Sequence, residues 1–215
     1  MKINKTDIFR GSLIASIMHA IMTNKYPDLS YEQSWDESNY SIQNSSGLRG
    51  TITFCSEFCI GAIRNDNYSV TNSEYGIQQY MNGFPLNVIQ KANEETLQYL
   101  LINKNGIIVP CVTSVFWADE NNIHFEKRFI ENIKRDFSLL EDILLPEEEA
   151  IDKWINYYEM NSDAIQLFNE IYQFKTRDFA AKMILSEKQK KLIPGASINS
   201  ECIESLMELN ICFKD

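Results

Sequence analysis

The chain has 215 residues, of which 44% are hydrophobic, 23% charged and 12% aromatic, with only 8 Gly and 5 Pro. Those fractions exclude a disordered tail, a collagen-like repeat and a low-complexity array, and no run of 18 apolar residues exists to span a membrane. The formal charge is −10, from 20 basic and 30 acidic residues, which excludes a nucleic-acid or anionic-membrane binder, because phosphate recognition needs clustered Lys and Arg.

Lys2, Lys5 and Arg10 precede an apolar run from Gly11 to Met22, as in a secretory leader. Asp7, Ser12, Ser16 and His19 interrupt that pattern, so an ordinary helix over 7–24 is expected instead. Ile14, Ile17, Met18 and Ile21 recur at i, i+3, i+4 and i+7; Phe9, Leu13 and Ala20 widen the stripe. Thr6 is the expected N-cap and Pro27 the stop.

Residues 38–64 change period. Thr51-Ile52-Thr53-Phe54 alternates, and turn signals stand at Asn44-Ser45-Ser46-Gly47 and Ser56-Glu57. The pattern predicts an antiparallel meander over 38–43, 49–55 and 58–64. A long polar connection over 65–84 follows, then a helix over 86–103 on Val88, Ile89, Ala92, Leu97, Leu100 and Leu101. Asn105-Gly106 makes a turn, and Ile107 to Trp117 reads as a fourth strand with Pro110 marking an edge or bulge.

The rest is expected to be helical: one face through Ile123, Glu126, Ile130, Ile133 and Phe137, a second helix after Pro146, and caps at Ser162, Thr176 and Ser186. Ser186 with Gln189 fits a capping box. A last helix runs from about Ser200 to Leu209. The fold class is therefore α+β: an N-terminal helix, a small antiparallel sheet made of a meander plus a fourth strand, and a helical C-terminal half. A single domain over 1–215 is favoured. A sub-boundary near 118–121 is the alternative, because residues 1–118 carry a net −2 and residues 119–215 a net −8.

Five cysteines, Cys55, Cys59, Cys111, Cys202 and Cys212, are an odd number at irregular spacing. They predict reduced thiols in a cytoplasmic protein rather than a disulfide framework. No metal site is expected: Cys55 and Cys59 have scattered potential co-ligands only, His19 and His124 among them. No Gly-x-Ser-x-Gly elbow, Walker A loop or Gly-x-Gly-x-x-Gly occurs, and no cofactor is expected. Phe9-Arg10-Gly11-Ser12-Leu13 superficially resembles the opening helix of ADP-ribosylglycohydrolases, but the metal-binding Gly-Asp pair of that family does not follow, so nothing is carried over from it.

Two functional readings remain. Glu141, Asp142, Glu147, Glu148, Glu149 and Asp152 form a segment of six acids without a base. They suit a first helical turn, whose dipole favours carboxylates, and equally a docking surface for a basic protein, with Tyr157 as an aromatic anchor. On this reading the chain is a non-enzymatic, immunity-type protein that covers the active site of a basic, nuclease-like toxin. The alternative is a hydrolase-like enzyme with a polar site on the meander and the 65–84 loop, built from Arg49, Glu57, Arg64 and Asp66. A subunit of a larger assembly is a third possibility. The oligomeric state is not fixed by the sequence.

Overall fold

The computed structural model describes residues 3–68 and 76–214. In chain order its elements are α1 (Lys5–Met22), β1 (Gln33–Asp36), β2 (Asn39–Gln43), β3 (Leu48–Phe54), β4 (Cys59–Asn65) and α2 (Leu86–Glu94). Then come β5 (Leu101–Lys104), β6 (Ile107–Pro110), β7 (Ser114–Ala118), β8 (Ile123–His124), α3 (Ile130–Asp136) and α4 (Glu147–Tyr158). The chain closes with α5 (Ser162–Lys175), β9 (Met183–Leu185), α6 (Glu187–Lys190), α7 (Ser200–Glu208) and β10 (Ile211–Phe213). The fold is α+β, with an N-terminal helix, an antiparallel sheet containing the meander, and helices through the C-terminal half. No helix among the described residues is long and apolar enough to cross a membrane.

The chain divides into two units, one of residues 1–9 and 38–144, the other of residues 10–37 and 145–215. The turn at 118–121 lies inside the first.

In the first unit the strands run in the order β2-β3-β4-β7-β8, antiparallel throughout. The pleat sends Ile60, Ala62 and Val115 to one face, where they pack with Val88, Ala92, Leu97 and Leu100 from α2 and the 3-10 turn after it. Gly61 and Phe116 are partners on the other face, and the Phe116 ring meets Phe137 edge-on at 5.0 Å. Asn4, not Thr6, caps α1: its Oδ1 accepts the Asp7 N–H at 2.9 Å, while the Thr6 hydroxyl donates to Glu120 at 2.7 Å.

The expected helix over 86–103 stops at Glu94, and a 3-10 turn follows over Thr96–Leu100. Leu101–Lys104 is a strand because Asn105 and Gly106 take positive φ, 54° and 86°, the geometry of a tight hairpin turn. The expected fourth strand is thus two. β6 pairs back on β5, and β7 joins β4. His124 does not open a helix; it lies in β8 opposite Trp117, with the rings stacked at 4.2 Å.

In the second unit Gly11 to Met22 of α1 is buried residue for residue, so the helix is enclosed on all sides rather than along one stripe. Asn199 caps α7 through the Cys202 N–H at 2.9 Å and ties this end to the end of α1, donating to Asn24 Oδ1 at 2.7 Å. Asn161, one residue before the expected Ser162, caps α5. Thr176 ends that helix instead of opening one, and Ser186 makes the expected capping box with Gln189. Lys175 is wholly buried at the end of α5, where its ammonium donates to the carbonyls of Phe179 (3.0 Å) and Ala181 (2.6 Å). Burial pulls this amine down to about 8. The C-terminal half also holds a parallel pair, β9 with β10, which three-residue strands left unreadable in the sequence.

Candidate functional site

The six acids fall in different units. Glu141 and Asp142 sit in a 3-10 turn, Glu141–Leu144, that closes the first. Glu147, Glu148, Glu149 and Asp152 open α4 in the second. Pro146 at the N-cap offers no side-chain acceptor, so three carboxylates in the first turn face N–H groups that nothing else caps. That local role accounts for acids being there. It does not account for Glu148 and Glu149 having no ion-pair partner among the described residues.

Ala150, Trp154 and Tyr158 form the buried stripe of α4. Turning away from that stripe at 100° per residue, Glu148, Glu149 and Asp152 share the opposite side, and all three are exposed. None of them has an ion-pair partner among the described residues. Glu147 differs: it lies 3.9 Å from the Arg10 guanidinium and hydrogen-bonds Tyr172, whose hydroxyl is pushed up to about 12 by burial and by that carboxylate. Tyr157 is 50% exposed but stands on another flank of the helix, and its hydroxyl donates to Glu32 at 3.3 Å.

Charge in the second unit reinforces this face. Counted by residue, that unit holds seventeen acids and ten bases, against thirteen and ten in the first. Glu208, at the end of α7, has its carboxyl raised by burial, and by the nearby charges of Glu204 and Asp36, although the Trp35 N–H donates to it at 2.9 Å. It borders a shallow recess whose other lining includes Ser16, His19, Gln33 and Trp35. The empty volume is about 170 Å³ with the open mouth included, below the roughly 300–1,000 Å³ of small-molecule sites.

His19 lies in that recess at 2% exposure with both ring nitrogens engaged. Nε2 faces the Ser30 carbonyl at 3.4 Å. A carbonyl only accepts, so Nε2 carries the proton and Nδ1 accepts the Tyr158 hydroxyl at 2.8 Å. Burial pulls the imidazole down to about 4, the Ser30 bond offsetting only part of this. A group neutral in the fold but protonated when unfolded makes stability fall with pH between 6.5 and about 4. At 1.36 kcal/mol per pH unit the loss approaches ~3 kcal/mol. His19→Gln is expected to flatten the stability curve over that window in denaturant titrations at stepped pH; an unchanged slope would refute the assignment.

The polar set on the meander is only partly gathered. Arg49 and Arg64 are direct cross-strand partners and share Asp66, with Arg64 Nε at 2.7 Å from Oδ1 and Arg49 Nη2 at 3.3 Å from Oδ2. Asp66 also donates its N–H to the Gly47 carbonyl at 2.9 Å, so the group orders the β2–β3 turn. Glu57 is at the opposite end of the same hairpin, beyond the Phe54–Cys59 pair. Five residues of strand, ~17 Å, separate it from the arginines. Residues 69–75 of the 65–84 loop lie outside the described residues.

The described cysteines are free. Burial pushes the Cys59 and Cys202 thiols up to about 12 and raises Cys55 and Cys111, which leaves these four poor thiolate nucleophiles. Among the described residues no three His, Cys, Asp or Glu side chains gather as metal ligands would. His124 is tied to Asp119 at 3.0 Å. No family model, curated protein or solved structure matches the chain.

Proposed function

We propose that the chain is an acidic, non-enzymatic binding protein. Within that class it acts as an immunity-type protein, neutralising a basic, nuclease-like toxin by covering its active site with carboxylates. The observation that carries the reading is the set Glu148, Glu149 and Asp152, exposed together on α4 without ion-pair partners among the described residues, in a unit where acids outnumber bases seventeen to ten. Like charges held together are unfavourable for the isolated protein, and a basic partner relieves that repulsion while the pair steers association. Glu147 contributes less, being engaged with Arg10 and Tyr172. Glu141, Asp142 and Tyr157 belong to the reading as further contacts. Free cysteines accord with a cytoplasmic setting, where a toxin's producer would need protection.

The test is the triple variant Glu148→Lys, Glu149→Lys, Asp152→Lys. Exposed side chains leave the core alone, so the far-UV spectrum stays native. Affinity for the partner captured by the unmodified chain is expected to fall at least 100-fold, mainly through slower association. An affinity within threefold of the unmodified chain would remove α4 from the interface.

A further inference from the structure

The shallow recess of the second unit lies where α1, β1 and α7 meet. Several of its polar groups are engaged within the fold. Both His19 nitrogens are taken, and Ser16 Oγ donates to the Ser12 carbonyl at 2.7 Å while accepting the Trp35 indole N–H at 2.6 Å. Two groups on α7 differ. Glu208 accepts the Trp35 backbone N–H through Oε2 at 2.9 Å, and its Oε1 has no hydrogen bond among the described residues. Ser205 lines the recess at 8% exposure, and its hydroxyl has no hydrogen-bond partner among the described residues. Ser205 and Glu208 stand at i and i+3, on one side of the helix. A buried hydroxyl is unfavourable unless a partner meets it, so Ser205 points to a ligand.

The sign of the recess selects that ligand. Glu208 ends α7, where the helix dipole disfavours a carboxylate, and no basic residue stands in the last turn to offset it. Burial raises the Glu208 carboxyl, and the charges of Glu204 and Asp36 add to that rise. Neither Glu204 nor Glu208 belongs to an ion pair among the described residues. A cation relieves all of these at once. With its open mouth the recess measures about 170 Å³, too little for an ordinary metabolite and enough for the charged end of an alkyl chain. A guanidinium suits it less, because its fork takes both oxygens of a carboxylate and Oε2 is already bound to Trp35. An ammonium is a compact charge that needs single acceptors, and Glu208 Oε1 and Ser205 Oγ supply two. We infer that the recess binds one primary alkylammonium group, which donates to Glu208 and Ser205 while its methylene stem leaves past Leu209. The group belongs either to a small free amine or to a lysine side chain of another protein. This inference is independent of the acidic face of α4.

Titration of the isotope-labelled whole chain with n-butylammonium chloride, at constant ionic strength and followed by NMR, tests it. The backbone N–H resonances of Trp35 and Ser205 are expected to shift saturably, with a dissociation constant in the millimolar range. Glu208→Gln, which keeps an oxygen for the Trp35 N–H, is expected to weaken binding at least tenfold, and Ser205→Ala at least threefold, both with the spectrum otherwise native. Tetramethylammonium carries the charge without an N–H and is expected to give no saturable shift. A capped lysine amide titrated in parallel separates the two sources: affinity within tenfold of n-butylammonium assigns the site to a lysine side chain, and weaker binding assigns it to a free amine. No saturable shift with n-butylammonium overturns the inference and leaves the recess to water. Equal shifts with tetramethylammonium overturn it as well, by reducing the effect to screening. Binding unweakened in Glu208→Gln does the same, by placing the amine elsewhere.

Discussion

Gly61→Ala is expected to lower the stability of the protein by ~3 kcal/mol, the upper end for overpacking a filled core. A Cβ at residue 61 would lie 2.3 Å from Cζ and 2.5 Å from Cε1 of Phe116. Gly61 and Phe116 are register partners on β4 and β7, so the ring lies across the bare backbone of its neighbour. The ring has little freedom to retreat: Phe116 is fully buried and held by Phe137. Gly61→Val should cost more still. The pair is also expected to be coupled. Phe116→Leu alone leaves a cavity, but combined with Gly61→Ala it makes room for the new methyl, so the double variant should be at least 1 kcal/mol more stable than additivity predicts. Urea titration of the four proteins measures this. Strict additivity would show that Phe116 does not set the limit on residue 61.

Asp136→Ala is expected to cost about 4 kcal/mol, because it leaves the buried donors of Thr113, Ser114 and Asn65 without their acceptor and Arg135 without its counter-ion. Asp136 closes α3 with 0% exposure. Its carboxylate receives Arg135 Nε at 2.7 Å, the Thr113 hydroxyl at 2.5 Å, the Ser114 hydroxyl at 2.9 Å and the Asn65 amide at 3.1 Å. These donors come from α3, from β4 and from the start of β7, so one carboxylate fastens the helix to the sheet. Burial pushes the carboxyl up, but the four donors, led by Arg135, outweigh it and hold the group below the usual carboxylate range. The sign follows. Stability from this site is complete above the unfolded value, near pH ~4, and is lost as pH falls through the lower folded value. Asp136→Ala should lack that component of acid sensitivity, while the His19 component between pH 6.5 and 4 stays. A loss under 1 kcal/mol at neutral pH would mean that the network is not a fastening.

Much of the first unit's sheet is readable from residues. Alternation in Thr51–Phe54 and the turns at Asn44–Gly47 and Ser56–Glu57 place β2, β3 and β4 within a residue or two. What misled was the use of helical spacing without its limits. Leu97, Leu100 and Leu101 fit a helix, but Asn105-Gly106 is a hairpin turn and requires strand on both sides, so the helix had to end earlier. Pro110, expected to mark an edge or a bulge within one strand from Ile107 to Trp117, instead ends β6, and β7 begins at Ser114. β8, β9 and β10 have two or three residues each, too few for any period to register.

The candidate site divides along the same line. The acids of α4 were visible because they are consecutive, and helical periodicity alone places Glu148, Glu149 and Asp152 away from the core. Their differing availability was not visible. The Arg10–Glu147 contact spans most of the chain, as does the bond from Tyr157 to Glu32, and composition records neither. Asp136 drew no notice for the same reason. It stands in an ordinary basic and acidic stretch, and only folding brings Asn65, Thr113 and Ser114 to it.

The most direct measurement is affinity capture from native lysate, using the unmodified chain and the Glu148→Lys, Glu149→Lys, Asp152→Lys variant side by side, at low and moderate salt, with mass spectrometry of what is retained. The account predicts one basic protein in near-stoichiometric amount on the unmodified chain, loosened by salt and absent from the variant. Retention of the same protein by both chains, indifferent to salt, would contradict it, as would capture of no basic protein under either condition.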